Sequence, residues 1–142
     1  MKSADILSEN KIKSTKQRRL ILSALQKLSI PEPAENIYLT VKKDDDSISL
    51  STVYRALELF VKKGLVSKSD FSPSEKKMYE MNTKVHKHYL TCNICKKILT
   101  VKGCPLEEYE KKLSGQTGFE ITEHHLNLSG ICPDCRLKSD RE

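Results

Sequence analysis

Ser51-Thr52-Val53-Tyr54-Arg55-Ala56-Leu57-Glu58-Leu59-Phe60-Val61-Lys62-Lys63-Gly64 reads as an amphipathic helix with a marked beginning and end. Ser51 is a candidate N-cap, because its hydroxyl can accept from first-turn amides. Gly64 can take the left-handed conformation that commonly follows a last turn. Val53, Leu57, Phe60 and Val61 recur at helical spacing and predict one buried face. Ser51, Thr52, Tyr54, Arg55 and Glu58 are left outside, toward the N-terminal end.

Working outward, two further helices precede this one. Thr15 can cap a helix whose stripe is Leu20, Ile21, Ala24, Leu25 and Leu28, and which ends at Ser29-Ile30-Pro31-Glu32-Pro33. A second helix is predicted over 33–43, with Ala34, Ile37, Tyr38 and Val41 on one face. A short helix fits within 1–13, on Ile6, Leu7 and Ile12. Downstream, 65–68 and 77–81 read as strands joined by a polar turn at 71–75. Three helices and a hairpin predict a winged helix-turn-helix, whose third helix enters the major groove of double-stranded DNA. Tyr54 and Arg55 are then the candidate base readers, with Ser51 and Thr52 at the same helix end. Arg can bond guanine bidentately; a Tyr ring can pack on a thymine methyl while its hydroxyl reaches a phosphate. Lys16, Arg18, Arg19 and the wing residue Lys68 would hold phosphates. The blander alternative makes Tyr54 a half-buried core aromatic and Arg55 a solvated charge. The charge balance favours DNA contact: residues 1–84 carry 16 Lys+Arg against 11 Asp+Glu, and the remainder carry 9 against 8.

The second half is organised by cysteines. Cys92-Asn-Ile-Cys95 and Cys132-Pro-Asp-Cys135 are two Cys-x-x-Cys turns separated by 36 residues. Four thiolates close a tetrahedron around Zn²⁺ and leave no open position, so a structural zinc is predicted. Disulfides or a thioredoxin-like redox pair are the alternatives. The first needs an oxidising compartment, and the second needs only one pair. Strands are predicted over 86–91 and 97–102, a helix over 105–113, and a long strand over 119–128. An exposed strand edge commonly pairs with its own copy, so a homodimer is expected.

All four histidines, His86, His88, His124 and His125, lie in this half. Residues two apart in a strand share a face, so His86 and His88 can reach one ion. His124 or His125 can join them, and a carboxylate would complete the set. Such a mixed site exchanges metal more readily than four thiolates, as a sensing site must. The alternative is a chance cluster of exposed histidines.

The chain has 142 residues, 31% of them charged, and no Trp. No apolar run matches a membrane span or a secretory signal, which predicts a cytoplasmic protein with reduced thiols and no membrane partner. No His-Glu-x-x-His, no nucleophile beside a base and no phosphate-cradling glycine loop are present, so no enzyme and no small-molecule substrate are expected. The predicted class is α+β: a winged-helix DNA-binding domain over 1–82, a hinge over 83–85 and an α/β metal-binding domain over 86–142.

Thr15-Lys16-Gln17-Arg18, Ala34-Glu35-Asn36-Ile37-Tyr38, Ser49-Leu50-Ser51-Thr52-Val53-Tyr54-Arg55-Ala56-Leu57, His86-Lys87-His88 before Cys92, Gly118-Phe119-Glu120-Ile121-Thr122-Glu123-His124 and Gly130-Ile131-Cys132-Pro133-Asp134-Cys135 appear in that order. The whole resembles the ferric uptake regulator family of bacterial metal-dependent repressors. The resemblance implies a homodimer that metal closes onto a palindromic operator. It implies a structural zinc at Cys92, Cys95, Cys132 and Cys135, and a second, regulatory site at His86, His88, Glu107 and His124. The family's third site is matched only by Glu80; its other places fall at about Pro31, at Lys87 and at Tyr89, which implies that this site is absent or rebuilt. Cys104-Pro105-Leu106-Glu107 is similar to the zinc uptake regulator branch. Zinc is therefore the expected co-repressor, although the regulatory set would also accept Fe²⁺ or Mn²⁺. Cys104 stands between packing, the preferred reading, and a substitute ligand. An iron-, manganese- or peroxide-responsive regulator is the alternative within the family, and a zinc-stabilised protein-interaction module the alternative outside it.

Overall fold

In the computed structural model the described residues are 2–69, 76–82 and 87–141. The chain forms two units, Met1–Asn82 and Thr83–Glu142.

In the first unit, helices α1 (Ser3–Glu9), α2 (Lys16–Gln26), α3 (Ala34–Lys42) and α4 (Leu50–Lys62) pack beside an antiparallel sheet. Its strands β1 (Glu32–Pro33), β2 (Val66–Ser69) and β3 (Met78–Met81) run in the order β1-β3-β2. Thr15 caps α2 as its hydroxyl position predicts, accepting from the Arg18 amide at 3.2 Å. The α4 cap is Ser49, not Ser51: its hydroxyl accepts from the Thr52 amide at 3.2 Å. The reason lies in the neighbours. Ile48 before Ser49 and Val53 in the first turn are both buried in the core, the arrangement of a hydrophobic staple. Gly64 follows α4 at φ +79°, the left-handed position that glycine takes without strain.

Ile21, Leu25, Ile37, Val41, Leu57 and Phe60 from three helices meet Tyr79 of β3 in one core. The sequence predicted a helix break over 29–33, with Pro33 opening the next helix. The structure adds β1 there, which pairs Glu32 with Tyr79 and Pro33 with Met78. Proline is tolerated because β1 is an edge strand and its missing N–H takes nothing from the ladder.

In the second unit, β4 (His88–Cys92) is central, with β5 (Ile98–Val101) antiparallel on one side and β6 (Asn127–Gly130) parallel on the other. Helix α5 (Glu107–Thr117) lies between β5 and β6 in sequence, and α6 (Pro133–Arg141) closes the chain. The long strand expected over 119–128 is not formed; only Asn127–Gly130 pairs, with Tyr89–Cys92. Before it, 118–126 runs without regular structure and carries His124 to His88 instead. Helix α6 departs from the sequence expectation, in which Cys132-Pro-Asp-Cys135 makes a turn. Pro133 sits at its first position, where a missing N–H costs nothing. His86, the hinge over 83–85 and the wing turn over 71–75 lie outside the described residues.

The second unit has little core of its own. Its buried described residues are His88, Tyr89, Cys92 and Cys135, and α5 buries none. Leu99, Leu90 and Leu128 are cross-strand partners and form an exposed row over β5, β4 and β6. A unit this small needs something besides apolar packing to hold it.

Candidate metal centres and recognition surface

Cys92 ends β4, and Cys95 follows on a tight turn completed by Lys96 at φ +67°. The parallel pairing of Cys92 with Gly130 brings β6 alongside, so Cys132 and Cys135 arrive at the same place. The four sulfurs lie within 4.8 Å of one another, with Cys92–Cys135 at 3.8 Å and Cys95–Cys132 at 3.7 Å. These are not disulfide distances; all five cysteines are free. They match the edge of a ZnS₄ tetrahedron, about 3.8 Å for Zn–S bonds near 2.3 Å. The Cys132 amide, donating to Cys92 Sγ at 3.4 Å, and the Cys95 amide hold the Cys92 thiol down to about 5. Cys132, then burial, pushes Cys135 up to about 12. A cation among the four sulfurs would stabilise them as thiolates.

A second cluster stands at the other end of β4. His88 Nε2, His124 Nε2 and Cys104 Sγ form a triangle with sides of 3.2, 3.3 and 3.4 Å. A tetrahedral zinc bound by two imidazoles and one thiolate has edges of roughly 3.3–3.6 Å. The other ring nitrogens are engaged: His88 Nδ1 bonds the Leu126 carbonyl at 3.3 Å, and His124 Nδ1 bonds the Glu110 carboxylate. With both Nδ1–H groups donating, both Nε2 lone pairs face the Cys104 sulfur. The single S–H of Cys104 can donate to only one of them, whereas a cation satisfies all three. Carboxylate and carbonyl behind the imidazoles are the usual outer support of a metal-binding histidine.

The sequence expectation is partly redrawn. His88 and His124 come together, and His86 lies outside the described residues. Glu107 is exposed on the wall of the same roughly 530 Å³ cleft, but it is not in the cluster. One turn on along α5, Glu110 meets His124 instead. Cys104, read from sequence as packing, is in the triangle. The signal was its oddness: it is the fifth cysteine when two pairs account for four. His125 is mostly exposed and approaches Glu123 at 4.0 Å.

On the first unit, Thr15, Gln17 and Arg18 of the α2 entry and Thr52 and Arg55 of α4 line one cleft of about 260 Å³. Ser51, Tyr54, Arg55 and Glu58 share the outer face of α4. Lys16 is exposed, while Arg18 and Arg19 are held by the Lys13 carbonyl and the Ser14 hydroxyl, each at 2.9 Å. Lys68 does not stand clear as a phosphate ligand: its Nζ is 2.9 Å from Glu58 Oε1, which also accepts from the Tyr79 hydroxyl at 3.1 Å. Glu58→Gln should therefore release Lys68 to duplex DNA and steepen the salt dependence of binding by about one counterion. An unchanged slope in a salt titration would show that Lys68 leaves Glu58 on DNA without help.

The ferric uptake regulator family model matches residues 9–129. The chain belongs to this family. It is 31% identical to the ferric uptake regulation protein of Campylobacter upsaliensis over 136 residues, 94% of this chain and 86% of that one. It is likewise 31% identical to a peroxide-responsive repressor of Staphylococcus aureus over 128 residues, covering 89% and 84%. The solved ferric uptake regulator of Vibrio cholerae superposes with a TM-score of 0.79 at 28% identity, over 90% of this chain and 98% of that one.

As a ferric uptake regulator family member, the chain is a metal-dependent transcriptional regulator and not an enzyme. Its α+β fold, winged-helix unit and cysteine cluster are those the sequence predicted. It carries a four-cysteine cluster and a His/Cys cluster able to bind metal. Among the described residues no helix is long and apolar enough to cross a membrane.

Proposed function

We propose that this protein is a zinc-responsive repressor of metal-uptake genes, of the zinc uptake regulator type. It acts in the cytoplasm as a homodimer on palindromic operator DNA. The observation that carries zinc is the Cys104 sulfur, 3.3 and 3.4 Å from two imidazole nitrogens. Thiolate with imidazole suits Zn²⁺, whereas Mn²⁺ prefers oxygen ligands. In this reading Cys92, Cys95, Cys132 and Cys135 hold a permanent structural zinc, and His88, His124 and Cys104 hold the exchangeable one. Bound there, zinc supplies positive charge that fixes the cluster. Glu110 and the Leu126 carbonyl orient the rings, and Cys104 ties the entry of α5 to β4. Ser51, Thr52, Tyr54 and Arg55 face the bases, and Lys16, Arg18 and Arg19 the backbone. The leucine row over β5, β4 and β6 is the surface offered to the second copy.

Linkage requires zinc and operator to tighten each other's binding. The test is metal content per chain before and after a mild chelator, with binding to a selected palindromic duplex on each sample. Two zincs falling to one, with DNA binding lost and restored by zinc but not by Mn²⁺ or Fe²⁺, is the expected result. Cys104→Ala should lower second-site zinc affinity by at least about tenfold and leave the first zinc in place. Zinc-dependent DNA binding that survives Cys104→Ala unchanged would overturn the site. An iron- or peroxide-responsive regulator is the second reading, favoured by the kinds of relative the chain matches. Recovery of DNA binding by Fe²⁺ alone would select it.

A further inference from the structure

Tyr54, on the outer face of α4, is not alone there. Its hydroxyl lies 2.8 Å from Glu35 Oε1, in the first turn of α3. The same carboxylate oxygen is 3.6 Å from Nζ of Lys76, two residues before β3. The Tyr54 hydroxyl, then Glu35's own backbone amide and Lys76, hold the Glu35 carboxyl below its ordinary range, so it is ionised at neutral pH. An ionised carboxylate can only accept, so the Tyr54 hydroxyl must donate its single proton to Glu35.

We infer that Glu35 is a specificity-determining residue: by accepting the Tyr54 proton it fixes the ring and leaves the phenolic oxygen as a pure acceptor toward DNA. This rests on the proposal that this face reads DNA. Phosphate oxygens are acceptors, so they offer nothing to a hydroxyl whose proton is committed. In the major groove the donors are the exocyclic amines, N6 of adenine and N4 of cytosine. Tyr54 therefore reads an amine at one base pair, or a thymine methyl with its ring. It does not reach a phosphate, as the sequence alone suggested. Glu35 touches no base in this scheme. It is a positioning residue that acts through Tyr54.

The test starts from a pool of duplexes with a randomised core, from which the zinc-loaded full-length protein selects an operator. Every single base-pair substitution of that operator is then competed against it for the wild type, Glu35→Ala, Glu35→Gln, Tyr54→Phe and the Glu35→Ala/Tyr54→Phe pair. Glu35→Ala should flatten the preference at one position of each half-site by about fivefold, the worth of one hydrogen bond. Tyr54→Phe should flatten the same position, and the double variant should add nothing further. Glu35→Gln keeps an acceptor oxygen and should restore the wild-type profile. Three results would overturn the assignment: a wild-type profile for Glu35→Ala, a uniform loss at all positions, or a Glu35→Gln profile like that of alanine. Circular dichroism and zinc content check that each variant is folded, and Tyr54→Phe tests the same position should Glu35→Ala be unstable. A wild-type protein that selects no sequence at all would overturn both this assignment and the DNA-reading function beneath it.

Discussion

Serine in place of Cys135 should cost the second unit its fold and leave the first unit standing. Cys135 is one of four sulfurs that meet where β4, β6 and α6 converge, and β6 reaches β4 through only four paired residues. The described interior there is His88, Tyr89, Cys92 and Cys135, two of them cysteines of the cluster, and α5 buries nothing. A structural zinc contributes on the order of 10–16 kcal/mol at neutral pH, more than a small unit's whole stability. Serine does not replace a thiolate, and three remaining sulfurs hold zinc far more weakly. The first unit has its own core around Leu25, Leu57, Phe60 and Tyr79, and none of it depends on the cysteines. Amide hydrogen exchange would show the difference: protection lost across β4, β5 and β6, and kept in α2, α3 and α4. Protection that persists in β4 with zinc content reduced would mean that packing, not metal, holds the unit.

In the homodimer proposed above, Leu99→Asp should shift the protein to monomer. Leu99 pairs with Leu90, and Leu90 with Leu128, so the three side chains make one continuous apolar row on an exposed sheet face. In a two-fold interface each substitution is met twice, once from each copy. Two unpaired carboxylates desolvated at about 2 kcal/mol apiece weaken association by roughly three orders of magnitude. Analytical ultracentrifugation at micromolar concentration would read this as loss of the dimer, and binding to a palindromic duplex would fall with it. The zinc of the four-cysteine cluster should remain, because Leu99 contributes no ligand. A dimer of unchanged affinity would place the interface elsewhere.

What could be read from sequence was whatever a local rule dictates. Thr15 before a stripe of apolar residues and Gly64 after one each have a short-range cause, and each is found in place; the two Cys-x-x-Cys pairs meet in one cluster, although the second opens α6 instead of making a turn. The α4 cap also has a local cause, since Ile48 and Val53 bracket Ser49 at staple spacing. The features that escaped depend on distant partners. Residues 119–126 alternate well enough for a strand, but β4 offers a free edge only beside Asn127–Gly130. Glu107 and Glu110 lie one helical turn apart, and which of them meets His124 is set by how α5 sits on the sheet. Cys104 has no pairing mate in the chain, so only its position beside His88 and His124 gives it a meaning. The partner of Tyr54 lies 19 residues away on another helix, which no periodicity reveals.

Strand β4 carries both clusters, with His88 at its first residue and Cys92 at its last. Four residue steps of strand separate the two by about 13 Å, on the same face. The end that would measure zinc is thus held in shape by the end that has already taken zinc. Every newly made chain would have to withdraw one ion from the cell before it could report on a second. The number of copies would then set a floor of consumption, below which scarcity would be absorbed by the sensor itself and not signalled to the genome.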